Sequence, residues 1–358
     1  MRSMLQNTGL YGNKAIHRYA VRRLVPVIIL CLSLLVAGCG SGALSTVSAP
    51  DNGTSSGKQP LRKLTLMLDW YPNAVHTFLY TAEANGYFAA QGLDVEFVMP
   101  ADTNDALRLA AAGRVDLALS YQPQVLMARA EGVPVKALAA IVRHPLTHLM
   151  VPEDSDIERP RQLEGSDIGY SSIPLYDAIV RAMVKNDGGD PDKVKLVDVG
   201  YDLIPALATG QTDGIMGGFI NHEALLLEKE GHLVRTLAPS DYGVPNYYEL
   251  VLAASEDGIS SSGSDFRKFM TAAAQGQEYV KEHPEEALEI LLQHENETSP
   301  LDSGVEKRSL DILLPLMDAG SEPFGHQDPE SWKNVRQWLS DNGLLDSDVA
   351  AEDAFVNL

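Results

Sequence analysis

The chain has 358 residues, of which 49 are acidic and 28 are basic, and its formal net charge at pH 7 is −21. Such a surface repels the phosphates of nucleic acids, so the composition excludes a DNA- or RNA-binding role. About 300 residues follow the N-terminal region discussed next, which is enough for one large domain or for two lobes with separate cores.

The first 60 residues have the pattern of a targeting segment followed by a tether. Residues 1–24 include five basic residues and no acidic one, and an apolar run from Leu24 to Val36 follows. The run is too short for an ordinary membrane span, and a plain secretory signal or a membrane anchor would share it. The residues LVAGC, ending at Cys39, resemble the lipobox of bacterial lipoproteins. We therefore expect a lipoprotein signal peptide over 1–38, then a lipidated Cys39 and a flexible Gly- and Ser-rich tether over 39–60.

The sequence contains no clear motif for binding a metal or a cofactor. Cys31 would leave with the signal and Cys39 would carry lipid, so no thiol would remain for a disulfide, a nucleophile or a thiolate metal site. His144 and His148 are four residues apart, but Pro145 keeps them from sharing one helix face. No glycine-rich phosphate loop is present, and we expect neither cofactor nor metal.

The mature region alternates between strand and helix patterns. A strand is predicted from Lys63 to Leu68, and helical spacing then continues to a stop at Gly86. Val135–Val142 is almost wholly apolar, as is typical of a strand covered on both faces. Further strands are predicted at 93–98, 115–119, 168–170, 194–199, 212–216 and 246–255, and residues 147–157 are predicted as a strand that opens onto a polar loop. Later helices are predicted at 174–185, 202–209, 264–282, 284–293, 303–317, 329–341 and 346–355.

Two segments share one pattern, which indicates two α/β lobes of similar construction. AAGRVDLALSY and ATGQTDGIMGGF each combine a helix end, a glycine, an aspartate, a short strand and an aromatic residue, Tyr121 or Phe219. We expect one lobe over 61–150 and 255–358 and the other over 151–254. The C-terminal helices contain no obvious polar cluster, and we expect them to pack on the first lobe.

Polar and aromatic residues follow the first predicted strand directly. In open α/β sheets, ligands bind beyond the carboxyl ends of the strands. Asp69, Trp70, Asn73 and His76 are therefore candidates for a small-molecule site. The alternative is that Trp70 belongs to the core and that Asp69 caps a turn.

The segments DWYPNAVHTFLYTAEANGYFAAQGLDVEF, GRVDLALSYQP, LEGSDIGYSSIP and GIMGGFINHE resemble the thiamine-pyrimidine substrate-binding proteins of ABC transporters. These proteins are periplasmic relatives of the Thi5/NMT1 group. The resemblance implies a type II periplasmic binding protein: two lobes, two crossovers and a cleft that closes on the ligand. It also implies a formylaminopyrimidine-like precursor of thiamine as ligand and delivery to permease subunits with a cytoplasmic ATPase. With the lipid anchor, the expected location is the extracytoplasmic face of a cell membrane.

The resemblance also assigns roles to residues. Asp69 and Trp70 match a binding pair, Tyr121 matches a pocket aromatic, and Glu223 matches an acid four positions after an aromatic that is commonly Tyr but is Phe219 here. An aminopyrimidine can stack on aromatic rings, and a carboxylate can accept a charge-assisted hydrogen bond from its amino group. The full predicted contact set is Asp69, Trp70, Asn73, His76, Tyr121, Tyr176, Phe219, Asn221, Glu223, Tyr248 and Glu249.

Other functions stay open at this point. The eukaryotic branch of the family uses a histidine near the position of His76 to make the pyrimidine, with cysteines in a later motif. Residues 246–251 read NYYELV, without cysteine, and we therefore expect a binding protein rather than an enzyme. Riboflavin, a sulfonate or nitrate is an alternative ligand, since one fold serves many ligands. A sensor without a permease is a further alternative.

Overall fold

The computed structural model of the protein describes residues 60–295 and 300–358. The predicted signal peptide over 1–38, the lipidation site Cys39 and all but the last residue of the tether lie outside these residues. Within the described ranges, no helix is both long enough and apolar enough to cross a bilayer.

Within residues 60–295 and 300–358, ten strands form two five-stranded sheets. The first sheet contains β1 (Arg62–Met67), β2 (Leu93–Val98), β3 (Leu117–Ser120), β4 (Val135–Val142) and β10 (Leu250–Ser255). The second contains β5 (Thr147–Pro152), β6 (Asp167–Tyr170), β7 (Lys195–Asp198), β8 (Gly214–Phe219) and β9 (Val234–Leu237).

The two sheets share one topology. Their strand orders are β2-β1-β3-β10-β4 and β7-β6-β8-β5-β9. In each sheet the first three strands of the order are parallel, and the fourth, β10 or β5, runs antiparallel to both of its neighbours. Both β5 and β10 follow a crossing of the chain from the other sheet. The predicted fold, two α/β lobes with two crossovers, is confirmed.

Strand membership locates the two crossings of the chain. β5 hydrogen-bonds in the second sheet and β10 in the first, so the chain crosses within 143–146 and within 238–249. The predicted limits at 150 and 254 both fall inside these strands. We therefore propose that the second lobe spans about 147–248.

The helices cover the sheets and extend to the C-terminus. In chain order they are α1 (Thr77–Ala84), α2 (Tyr87–Ala90), α3 (Ala106–Ala111), α4 (Gln122–Ala130), α5 (Pro174–Asn186), α6 (Leu203–Ala208), α7 (Glu223–Lys229), α8 (Glu256–Glu282), α9 (Pro284–Leu292), α10 (Ser303–Met317) and α11 (Pro329–Asp341). α8 and α9 pack on α1, and α11 packs on α4, as expected for a tail on the first lobe. α10 differs, because it contacts α9 of the first lobe and α7 of the second.

Two predictions for the tail are wrong. α8 starts eight residues before the predicted start, because the Ser255 side chain accepts a hydrogen bond from the Gly258 N–H and caps the helix. The predicted helix over 346–355 contains only a short 3-10 turn, Ala351–Asp353. There the backbone pairs with β4 instead, with Ala137 N–H bound to the Ala354 carbonyl and Val356 N–H bound to the Ala137 carbonyl. Pairing with the sheet edge outweighs the local helix pattern.

Candidate functional site

A cavity lies between the lobes, at the carboxyl ends of the parallel strands β1, β3, β6 and β8, where ligands bind in open α/β sheets. Its empty space is about 280 Å³. The lining residues are Asp69, Trp70, Asn73 and Tyr121 from the first lobe and Ser171, Tyr176, Gly217, Phe219, His222 and Glu223 from the second. Seven residues of the predicted contact set therefore meet at one cavity.

Asp69 is held by hydrogen bonds on both carboxylate oxygens. The Nε2 of His76 lies 2.9 Å from one oxygen, and the Tyr121 hydroxyl donates to the other over 3.2 Å. The Asn73 N–H donates to Nδ1 of His76 over 3.2 Å. Because Nδ1 is an acceptor, the proton of the neutral ring lies on Nε2 and points at Asp69. His76 is fully buried behind the cavity and orients Asp69 rather than lining the cavity.

Local sequence explains this geometry. Asn73 caps a short 3-10 helix, because its side chain accepts from the Val75 N–H. The reciprocal bond from His76 completes a capping box. The turn after β1 therefore fixes the orientation of both polar side chains that follow it.

Aromatic rings form much of the cavity wall. The ring centre of Tyr121 lies 6.3 Å from that of Tyr176 and 6.4 Å from that of Phe219. Burial is the main cause that raises the pKa of Tyr121, and the neighbouring Tyr176 and Asp69 raise it further. The Tyr121 hydroxyl therefore stays protonated and can donate at neutral pH. Flat, weakly polar ligands suit such walls.

Trp70 belongs to an aromatic cluster that joins the lobes. Its ring centre is 4.5 Å from that of Tyr201, a residue between β7 and α6 of the second lobe. The ring centre of Tyr201 also lies 4.9 Å from that of Tyr71, and its hydroxyl donates to the Pro100 carbonyl over 3.0 Å. Trp70 therefore contacts both the cavity and the opposite lobe.

Glu223 begins α7 and is 5% exposed. One of its oxygens accepts from the Phe219 N–H at 2.7 Å, and the other lies 2.7 Å from Nδ1 of His222. Burial lowers the pKa of His222, but the charge of Glu223, the hydrogen bond to it and the charge of Glu306 outweigh burial and raise the pKa. Each Glu223 oxygen keeps lone pairs for a ligand.

Glu306 of α10 is a buried polar residue that the tail was not expected to contain. It is 1% exposed and accepts a 2.7 Å hydrogen bond from the Ala74 N–H in the turn after β1. Burial raises its pKa, while His222, the Ala74 N–H and His76 lower it in part. The expectation that the C-terminal helices have no polar cluster is wrong, since α10 also contains the buried Ser309, which accepts a hydrogen bond from the Asn221 side chain.

Asn221 and Tyr248, both in the predicted contact set, lie outside the cavity lining. Asn221 donates to the Ser309 hydroxyl over 2.8 Å and links the loop before α7 to α10. The Tyr248 hydroxyl accepts from the Asp328 N–H over 2.8 Å, and the Arg143 guanidinium lies over its ring at 5.2 Å. The local sequence does not reveal these partners, Ser309 and Asp328, because both lie in the C-terminal tail. For Tyr248 we withdraw the prediction of ligand contact.

Glu249 also lies outside the lining and organises a crossing between the lobes. One oxygen accepts from the N–H groups of Leu146 and Thr147 at 2.6 and 2.8 Å, and the other from the Thr147 hydroxyl at 3.1 Å. Burial raises its pKa to about 7 despite these hydrogen bonds. Its position supports a structural role for Glu249 in place of the predicted ligand contact.

Four site residues were missed by the sequence reasoning: Ser171, Gly217, His222 and Glu306. His222 directly precedes Glu223, and Ser171 follows a predicted strand, so both could have been proposed from their positions. Gly217 has a φ of +106°, and a β-carbon there would lie 2.8 Å from the Ser171 hydroxyl. Nothing in the local pattern of α10 marks Glu306.

A family model described as NMT1/THI5 like matches residues 73–287, more than half of the chain. The chain belongs to the NMT1/THI5-like family. The formylaminopyrimidine-binding protein of Halalkalibacterium halodurans is 44% identical over 317 residues, which cover 88% of this chain and 96% of that protein. Another relative, the 4-amino-5-hydroxymethyl-2-methylpyrimidine phosphate synthase of Legionella pneumophila, is 28% identical over 236 residues, which cover 64% of this chain and 73% of that protein.

Solved structures confirm the fold. The alkanesulfonate-binding protein SsuA from Xanthomonas axonopodis pv. citri, bound to MOPS, superposes with a TM-score of 0.66. The two chains are 16% identical, and the match covers 83% of this chain and 98% of the other. This NMT1/THI5-like chain therefore has the periplasmic binding protein fold.

Proposed function

We propose that the protein is an extracytoplasmic binding protein that captures a formylaminopyrimidine-like precursor of thiamine and delivers it to an ABC permease. The observation that carries the proposal is a cavity walled by aromatic rings with two fixed carboxylates, Asp69 and Glu223, one from each lobe. The amino group of an aminopyrimidine can donate to such acceptors, and the faces of its ring match the aromatic walls. The relative from Halalkalibacterium halodurans, named for this ligand, supports the same assignment.

The charge of the cavity favours this ligand over the anionic alternatives. Sulfonate and nitrate are anions, and the lining includes Asp69 and Glu223 but neither lysine nor arginine. The lining residue His222 already pairs with Glu223 at 2.7 Å. An anion would meet repulsion there.

The position of His76 favours binding over pyrimidine synthesis. Both ring nitrogens are hydrogen-bonded within the protein, to Asp69 and to the Asn73 N–H, and the side chain is fully buried. A histidine that reacts must expose its ring to other reactants. His76 here is suited to orienting Asp69.

Calorimetry with the purified full chain tests the assignment. The panel comprises formylaminopyrimidine, riboflavin, an alkanesulfonate and nitrate, with buffer alone as the blank. We expect the pyrimidine to bind at least about 100-fold more tightly than the others, because a mismatched ligand leaves buried polar groups unpaired. Tighter binding of riboflavin or a sulfonate would refute the pyrimidine assignment, and consumption of the pyrimidine or release of a new product would refute the binding-only role.

Membrane attachment and delivery are tested separately. If Cys39 carries lipid, labelled fatty acid will be incorporated into the wild-type chain but not into a Cys39→Ser variant, and the variant will leave the membrane fraction. A permease partner would co-purify with the ligand-loaded protein from membranes. Equal labelling of both chains would refute the anchor without affecting the ligand assignment.

A further inference from the structure

One part of the cavity wall offers a hydrogen-bond donor, the hydroxyl of Ser171. Ser171 follows β6, lines the cavity and is 1% exposed, and its hydroxyl makes no hydrogen bond to the residues that the structure describes. Its carbonyl is fixed from the first lobe, because the Thr103 hydroxyl donates to it over 2.7 Å. The close backbone of Gly217, where a β-carbon would lie 2.8 Å from the Ser171 hydroxyl, confines the side chain. The Ser171 hydroxyl is thus held in place at the cavity and is available to donate.

The start of α5 places the positive end of a helix dipole beside Ser171. The helix begins at Pro174, which has no N–H, and the Tyr176 N–H donates to the Ile173 carbonyl over 3.0 Å. Tyr176 lines the cavity, and the carboxylate of Asp177, in the same first turn, pairs with Arg181. The first turn of α5 therefore contributes its dipole to this part of the cavity, and the Ser171 hydroxyl is the hydrogen-bond donor.

Charge decides what kind of acceptor this surface can bind. A helix N-terminus is equivalent to about half a positive charge. A phosphate ester carries roughly −1.5 to −2 at neutral pH. The cavity lining contains Asp69 and Glu223, and neither lysine nor arginine lines it. His222 also lines the cavity, but it pairs with Glu223 at 2.7 Å. The remaining half charge of the helix cannot offset a phosphate beside these carboxylates, whereas an uncharged oxygen brings no such repulsion.

Given an aminopyrimidine ligand, as proposed above, we propose that the Ser171 hydroxyl, beside the first turn of α5, donates to an uncharged oxygen on the side chain of the ring, such as the oxygen of an N-formyl group. This region would distinguish the formylated pyrimidine from ligands that have the same ring but no such oxygen. The carboxylates select the amino end of the ligand, and Ser171 selects its oxygen end.

Calorimetry with three ligands tests the role of Ser171. The ligands share the ring and differ in one substituent: the N-formylaminomethyl compound, 4-amino-2,5-dimethylpyrimidine, which has no oxygen, and the phosphate ester of the hydroxymethyl compound. We expect Ser171→Ala to weaken binding of the formyl compound about 3- to 10-fold and to change binding of the dimethyl compound less than about twofold. The wild type should bind the phosphate ester more weakly than the formyl compound.

Ser172→Ala is the matched control, because the Ser172 hydroxyl binds Asp198 at 2.6 Å and does not line the cavity. It should leave the preference for the formyl compound unchanged. Equal losses of both ligands in Ser171→Ala, no loss of the formyl compound, or tighter binding of the phosphate ester would overturn this inference while the pyrimidine assignment stands. If Ser171→Ala fails to fold, equal wild-type affinities for the formyl and dimethyl compounds would also overturn it. Binding of none of the three would refute the proposed function itself and this inference with it.

Discussion

Replacing Glu223 with glutamine tests the carboxylate at the centre of the proposed site. The change keeps the shape of the side chain and removes its charge. The amide oxygen of the new side chain can still accept from the Phe219 N–H, which now donates to a carboxylate oxygen over 2.7 Å. The new amide N–H can donate to Nδ1 of His222, once the imidazole is neutral without the Glu223 charge that helps to raise its pKa. We therefore expect the variant to fold.

The expected loss follows from the hydrogen bonds. A bond to a charged group contributes roughly 1.5–3 kcal/mol and a neutral one roughly 0.5–1.5 kcal/mol. The Glu223→Gln change should therefore weaken pyrimidine binding by about 1–1.5 kcal/mol, or roughly 5- to 15-fold in Kd. Calorimetry at neutral pH measures this change, and thermal unfolding without ligand checks the fold.

Glu228→Gln provides the matched control, since Glu228 lies on the same helix, α7, and pairs with Arg308 outside the cavity. That ion pair is about half exposed and should contribute little. An unchanged Kd in Glu223→Gln, or equal losses in both variants, would refute the assignment of Glu223 to the amino group.

Three further predictions concern a stacking ring, the contact between the lobes and pH. Trp70→Ala removes a ring that lines the cavity, and calorimetry should show at least about 30-fold weaker binding; a loss below about threefold would contradict stacking on Trp70. Tyr201→Phe keeps the ring against Trp70 but removes the hydrogen bond to the Pro100 carbonyl, so ligand affinity should fall about threefold; no change would show that this bond does not favour the ligand-bound arrangement. Glu249→Gln should flatten the fall in stability between about pH 5 and pH 8.

The sign of the Glu249 effect follows from proton linkage. The pKa of the Glu249 carboxyl is about 7 in the folded protein, compared with its ordinary value of 4.5 in the unfolded chain. Between these values the folded state holds more protons than the unfolded chain, so the free energy of unfolding falls as pH rises. The loss is on the order of 3 kcal/mol for this group. Thermal unfolding of both proteins across the range measures it, and parallel curves would contradict a protonated Glu249 in the folded state.

Much of the site could be predicted because its signals are local. Asp69, Trp70 and Tyr121 directly follow strands, and in an α/β fold the carboxyl ends of parallel strands meet at one edge, which is where the cavity lies. Asn73 and His76 share a capping box over four residues, so even their pairing is a short-range property. Alternation and helical spacing likewise predict most strands and helices, since each element buries one face.

The amino-acid sequence by itself determined the alternation of strands and helices, the two similar lobes and the residues at the ends of β1, β3 and β8. Only the tertiary structure decided that Glu306 approaches the site from α10, that Tyr248 faces the tail and that residues 351–356 pair with β4 instead of forming a helix. The physical reason is the separation along the chain. The hydrogen bond from Ala74 to Glu306 joins residues 232 positions apart, and no local pattern encodes such a contact before both lobes and the tail have packed together.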